Sequence, residues 1–242
     1  MKKTIIRIVV LILLILISIS IIFLGVGYSK YSDTLKEQSL SSKVKEIQSD
    51  ENYAKLEEIN KFYLDAVVAV EDHRFYKHGG IDILSLGRAM MRNIKNKELL
   101  EGGSTITQQL AKNTFFTQNK EIVRKVAEGF MALNYEKNYS KEEILELYVN
   151  TSYFGDGYYT IKEASLGYFE KLPIDLNEYE ASMLAGVPNA PSVYAPTVNF
   201  KLASERQNQV LDKMVKYGYI NKEKKNEILS QKQFYSEYFN KK

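Results

Sequence analysis

The chain has 242 residues, no cysteine and no tryptophan, and its 33 basic and 30 acidic residues leave a formal net charge of +3. Without cysteine there are no disulfides and no thiolate metal sites, and so small a positive balance makes no case for nucleic acid as a partner. Roughly 190 residues remain after an apolar N-terminal segment and a polar spacer are set aside, room for one sizeable domain or two closely packed lobes.

From Ile8 to Gly27 the chain is almost wholly apolar, interrupted by Ser18 and Ser20. Twenty residues at helical rise span about 30 Å, the thickness of a bilayer's hydrocarbon core. Lys2, Lys3 and Arg7 precede this run. The positive-inside rule therefore predicts a cytoplasmic N-terminus at 1–7, a transmembrane anchor at 8–28, and an extracellular remainder. A cleaved signal peptide is the competing reading. The run is long for one, and Gly27-Tyr28-Ser29-Lys30 lacks a small-x-small cleavage pattern.

Residues 29–60 are polar and charge-mixed, with Leu35, Leu40, Val44 and Ile47 at loose helical spacing. They read as a partly helical stalk lifting a domain at 61–235 off the bilayer. Within the domain, apolar periodicity predicts helices over 61–70, 82–96, 105–113, 120–137, 141–150, 160–168, 177–186, 199–217 and 222–230. No long alternating stretch argues for a sheet, so the fold class is mainly α. The stretch 81–100 interleaves Ile83, Leu84, Leu86 and Met91 with Arg88, Arg92, Lys95 and Lys97. Such a surface suits either an anionic membrane or an ordinary core-facing helix with a solvated basic face.

Four blocks could carry chemistry. In Glu71-Asp72-His73-Arg74-Phe75-Tyr76-Lys77-His78-Gly79-Gly80, two adjacent carboxylates follow an apolar helix, where partial desolvation tunes an acid for proton transfer. The ordinary alternative pairs Glu71 with Arg74 at a helix end. Gly102-Gly103-Ser104-Thr105-Ile106-Thr107-Gln108-Gln109 opens a capped helix whose free backbone N–H groups favour an anion, with Lys112 one turn on. Glu121 with Lys125, and Arg124 with Glu128, stand at i,i+4 as surface ion pairs or, with Lys112 and Lys120, as an electropositive groove for a pyrophosphate. Finally, Ser140 and Glu143 satisfy a capping box, so Glu143 can close a helix N-terminus.

Taken in order, these blocks resemble the peptidoglycan glycosyltransferase family, whose members polymerise lipid II. The matching runs are Glu-Asp-x-Arg-Phe-Tyr-x-His-x-Gly at 71–80, Gly-Gly-Ser-Thr-Ile-Thr-Gln-Gln at 102–109, Arg-Lys-x-x-Glu at 124–128 and Lys-x-Glu-Ile-Leu-x-x-Tyr-x-Asn at 141–150. A fifth runs from Leu184 to Tyr194, and the likeness covers roughly 60–220. The resemblance implies a lysozyme-like helical lobe beside a smaller membrane-associated jaw, with 81–100 in the jaw. It implies Glu71 as general base toward the 4-hydroxyl of lipid II and Glu143 as the second catalytic carboxylate, in an inverting β-1,4 transfer from an undecaprenyl-pyrophosphate-linked chain. Lys112, Lys120, Arg124 and Lys125 would meet phosphate charge, and Ser104, Gln108, Gln109, Glu128 and Asn189 would contact substrate or frame the site. Glu71 and Glu143 would then face one cleft. No cofactor is required by the sequence, although the resemblance allows Mg2+ or Mn2+ between Glu143 and the pyrophosphate. Partners would be lipid II, the growing glycan, the membrane and other wall-synthesis proteins.

Two departures stand out. The family's Tyr-Phe-Gly-Lys reads Tyr168-Phe169-Glu170-Lys171, and Glu163 replaces a small residue. No Lys-Thr-Gly accompanies the lone Ser-x-x-Lys at Ser42–Lys45, so the expectation is a monofunctional enzyme without transpeptidase chemistry. A lysozyme-like hydrolase and a non-catalytic membrane-anchored binding protein are the alternatives.

Overall fold

A computed structural model describes residues 2–96, 103–116 and 121–241, which form a mainly α fold with no strand among them. The first helix, α1 (Lys2–Glu37), is one unbroken element, long and apolar enough to cross a membrane. Its large aliphatic residues from Ile5 to Val26 are exposed. In water such a surface would be costly; in lipid it is the natural one.

The expected stalk is corrected by the packing. The outer end of α1 lies on α6 (Ile122–Asn138), and α2 (Leu40–Gln48), capped by Ser39, follows it onto the body. Leu40, Val44, Ala54 and Ile59 are part of the buried core, so 29–60 forms a layer of the fold rather than a spacer. The loose helical spacing of Leu35, Leu40, Val44 and Ile47 is that of an amphipathic stripe, and burying it is worth more than leaving it solvated.

At the centre runs α3 (Lys61–Glu71), packed against α9 (Glu178–Gly186) and α11 (Phe200–Lys216). Beside it, α5 (Ile106–Phe115) packs on α6 and on α7 (Lys141–Val149). Large aromatic side chains fill the space between, with Tyr63, Tyr148, Tyr168, Tyr179 and Phe75 almost fully buried. Buried tyrosines need hydroxyl partners: Tyr168 donates to the Phe154 carbonyl at 2.8 Å. Around this frame lie α8 (Ile161–Phe169), the single turn α10 (Pro191–Tyr194), α12 (Lys222–Ser230) and α13 (Lys232–Lys241).

Helix α13 is absent from the predicted set and carries the core past residue 235. Tyr235 stacks on Tyr179 at 4.3 Å between ring centroids, and Phe239 is buried nearby. Its apolar positions are aromatic pairs among polar residues rather than an aliphatic stripe, which is why periodicity overlooks it.

The smaller, apolar-surfaced part of the molecule is α4 (Ile83–Asn96), on which Ile83, Leu84, Leu86 and Met91 are exposed. These exposed apolar side chains between 83 and 91 do not pack into the core as an ordinary core-facing helix would; residues 97–100, and the side chains of 90 and 92–96, fall outside the described residues. Polar contacts tie the segment to the body: Arg74 pairs with Asp82 at 2.9 Å and Arg88 donates to His73 at 3.4 Å. Both departures from the family pattern have local explanations. Glu163 closes a capping box with Thr160 at the start of α8, and Glu170 ends that helix in the left-handed conformation at φ 58°. That conformation suits glycine and strains other residues.

Candidate active site

Glu71 is the last residue of α3, and its side chain is only 10% exposed. One carboxylate oxygen, Oε2, accepts from Gln109 Nε2 at 2.8 Å; the other, Oε1, faces Arg206 Nη2 at 3.4 Å. The Tyr148 hydroxyl in turn donates to Gln109 Oε1 at 3.3 Å, so the amide is oriented from both ends. Burial, then the nearby Glu71 charge, pushes the Tyr148 hydroxyl far above its ordinary pKa, which keeps it a donor. The local Glu71–Arg74 pair does not form: Arg74 serves Asp82 instead.

Asp72 has a different task. It accepts from His78 Nε2 at 2.8 Å and from the backbone N–H of Ile106 at 3.1 Å, tying the Glu71 segment to the start of α5. There Thr105 donates to the Gly80 carbonyl at 2.7 Å and accepts from Gln108 N–H, while the Gln108 side-chain oxygen accepts from Thr105 N–H. Gly80 itself lies against α6; a Cβ there would sit 2.7 Å from the Ala132 carbonyl carbon. Gln108 therefore closes a helix start while Gln109, one residue on, reaches the acid.

The cations gather one turn further along. Lys112 on α5 has its pKa lowered, chiefly by burial and also by Lys125 and Arg124, against the opposing charges of Glu128 and Glu71. Across from it, the Glu128 side chain has no exposed surface and accepts from Arg124 and from Lys125 Nζ at 2.9 Å. Lys125 Nζ also donates to Ser104 Oγ at 2.7 Å. The i,i+4 pair Arg124–Glu128 thus forms, but as a buried contact rather than a surface one, because α6 turns Ala127, Glu128 and Met131 inward. The Glu121–Lys125 pair gives way to Glu121 with Lys30 at 3.4 Å. Lys120 lies outside the described residues.

Glu143 is not drawn into this cluster. It is exposed and closes the Ser140 capping box, accepting from Ser140 N–H at 2.7 Å. Five residues separate it from Tyr148, about 140° round the helix. Unsatisfied N–H groups at the start of α7 hold the Glu143 carboxylate, in the capping role that the Ser140–Glu143 spacing predicts. Asn189 is exposed at the end of a 3-10 turn, Val187–Asn189, that follows α9.

Arg206 is the residue that sequence reasoning missed. It reaches Glu71 from α11, donates through Nε to the Gly186 carbonyl at 3.3 Å, and lies over the Tyr194 ring at 5.8 Å. The available signal was a charge between Ala203 and Val210 on the buried stripe of that helix.

For a divalent metal, Asp72, His78 and Asp82 place donor atoms within 4.8 Å of one another. Those atoms are engaged already by one another, by Ile106 N–H and by Arg74, whose charge would oppose a cation. Burial disfavours a protonated His78, yet its hydrogen bonds to Asp72 and to the Gly79 carbonyl, with the Asp72 charge, together outweigh this and raise its pKa. Glu143, turned to its own helix end, is equally unsuited to bridging Mg2+ or Mn2+ to a phosphate at Lys112. Among the described residues, the Asp72–His78–Asp82 group does not fit such an ion.

A family model described as Transglycosylase matches residues 36–215. Penicillin-binding protein 1F of Bacillus subtilis is 48% identical over 166 residues, covering 69% of this chain and 23% of its own length. Penicillin-binding protein 1A of Neisseria flavescens is 39% identical over 186 residues, covering 77% of this chain and 23% of its own. The crystal structure of penicillin-binding protein 1A from Haemophilus influenzae aligns with a TM-score of 0.44 and 24% identity, over 73% of this chain and 17% of that one. The chain thus spans about a quarter of the length of the curated relatives it matches.

Proposed function

The chain belongs to the transglycosylase family, and from that membership we propose that it polymerises lipid II into peptidoglycan glycan strands at the outer face of the cell membrane, anchored by α1. The observation that carries the reading is the convergence of one oriented acid, Glu71, with the cations Lys112, Arg124 and Lys125, which gather about the buried Glu128 with Ser104 beside Lys125.

Glu71 takes the proton from the 4-hydroxyl of the incoming lipid II sugar as that oxygen attacks the anomeric carbon of the growing chain. The α-linked pyrophosphate leaves from the opposite face and the new bond is β, a single inverting displacement. Gln109 and Arg206 fix the two oxygens of the base. The cations stabilise charge developing on the leaving diphosphate, and they are already in place before reaction, so little reorganisation is needed. Glu128 rather than Glu143 has the second carboxylate's part: buried between Arg124 and Lys125, it sets where those charges stand. Gln108 supports this frame from the helix start, and Asn189, between Gly186 and Tyr194 which Arg206 touches, is available for substrate contact.

The test is turnover of labelled lipid II by the reconstituted chain, with and without divalent metal. Long glycan strands are expected, and Glu71→Gln is expected to cut the rate at least about 100-fold. Normal polymerisation by that variant would remove Glu71 as the base, and fragments released from finished peptidoglycan would favour a hydrolase.

A further inference from the structure

Gly27 is the one buried residue that α1 contributes among its described positions. A Cβ there would lie 2.4 Å from Val126 Cγ1 and 2.6 Å from Val126 Cβ, so the backbone of α1 is seated directly on a side chain of α6. Around this contact, Tyr28 meets Phe130 edge-on at 5.3 Å and Lys30 pairs with Glu121 at 3.4 Å. Gly25, two residues earlier, has nothing within 4 Å of its would-be Cβ. Close approach of helices at a small residue is how membrane helices gain packing where no hydrophobic driving force separates protein from lipid.

The position of this contact gives it a consequence. It falls where the apolar run ends, and therefore at the outer boundary of the hydrocarbon core. Arg124 and Glu128 lie about 160° round α6 from Val126 and Lys125 about 100°, so the anchor and this charged cluster occupy different faces of one helix. Whatever the tilt of α6, the cation cluster stands within about one helix diameter, 10–12 Å, of the hydrocarbon boundary. Ser104, held by Lys125, follows Gly103, whose Cβ would lie 3.0 Å from Leu86 on the apolar-surfaced α4. Two lipid-suited elements thus bracket the cluster from different sides.

We infer that the Gly27–Val126 contact is a depth stop, a positioning device that holds the cation cluster at headgroup level so that a membrane-embedded lipid diphosphate reaches it without leaving the bilayer. The inference rests on the lipid-linked substrate proposed above, but its first readout does not depend on activity. Because the chain has no cysteine, Asn113→Cys, exposed beside Lys112, accepts a single fluorophore. The labelled full chain is placed in vesicles of phosphatidylcholine and phosphatidylglycerol containing a headgroup-nitroxide lipid.

Gly27→Leu is expected to lose about half of the quenching, Gly25→Leu none, and the swap Gly27→Val with Val126→Gly to restore it. Equal quenching in Gly27→Leu and Gly25→Leu overturns the depth stop. In a paired measurement without the label, Gly27→Leu should slow polymerisation of bilayer-embedded lipid II about tenfold or more while sparing a short-chain analogue in detergent. Equal loss on both substrates overturns the positioning role in favour of a general structural one. A wild type inactive on both removes the proposed function, while the quenching still decides the contact.

Discussion

Glu128 and Glu143 begin as near equals in the sequence. Each stands on a helix, each has a local partner three or four residues away, and each fits an ordinary structural role. In the fold they separate completely. Glu128 is sealed between α6 and its neighbours with two cations and no exposed surface, whereas Glu143 stays in solvent and closes the end of α7. The difference teaches that a local motif reports who can meet whom, while burial decides what the meeting is worth. A carboxylate in water has a screened and modest pair; the same pair out of water has large consequences when one member is removed.

Three changes test that contrast, beginning with the largest. Glu128→Gln leaves Arg124 and Lys125 without their counter-charge; lipid II turnover should fall about 100-fold or more, and stability by up to about 3 kcal/mol because the pair is buried. Glycan assays and urea denaturation measure the two, and near-normal values would break the distinction. Glu143→Ala removes only a cap. It should cost about 0.5–1 kcal/mol of stability and leave the polymerisation rate close to wild type, so a collapse of activity at unchanged stability would return Glu143 to the chemistry.

The smallest effect concerns Asp72, an acid of the same segment as Glu71 but committed to His78. Burial pulls the folded-state pKa of His78 down, but hydrogen bonds to Asp72 and the Gly79 carbonyl, with the Asp72 charge, together raise it above its ordinary value. The stability it contributes is therefore fully present below about pH 6.5 and is lost as pH rises through the folded pKa. Denaturation midpoints measured across that window should show this decline, and His78→Gln should flatten it. An unchanged slope in the variant would show that His78 does not titrate as its contact with Asp72 requires.

Much of this molecule is legible in one dimension. The apolar run of α1, the helical periodicity of most later elements and the capping boxes at Thr105 and Ser140 depend on residues near one another in the chain, and they appear where spacing predicts them. The motif containing Glu71 is of the same kind. Other features join distant residues: Arg206 reaches Glu71 across 135 positions, α13 enters the core through aromatic pairs, and Gly27 meets Val126. The supposed stalk belongs with these, because an amphipathic stripe shows that a segment will pack but not on what.

The sequence by itself therefore determined the long apolar first helix, the helical class, the family pattern and the acid at the end of α3. Only the tertiary structure decided which carboxylates leave water, which cations surround them, and which helix the outer end of α1 packs against. The physical reason is that hydrogen bonding and periodicity act over a few residues, whereas desolvation depends on every element that packs against a side chain, wherever in the chain it lies.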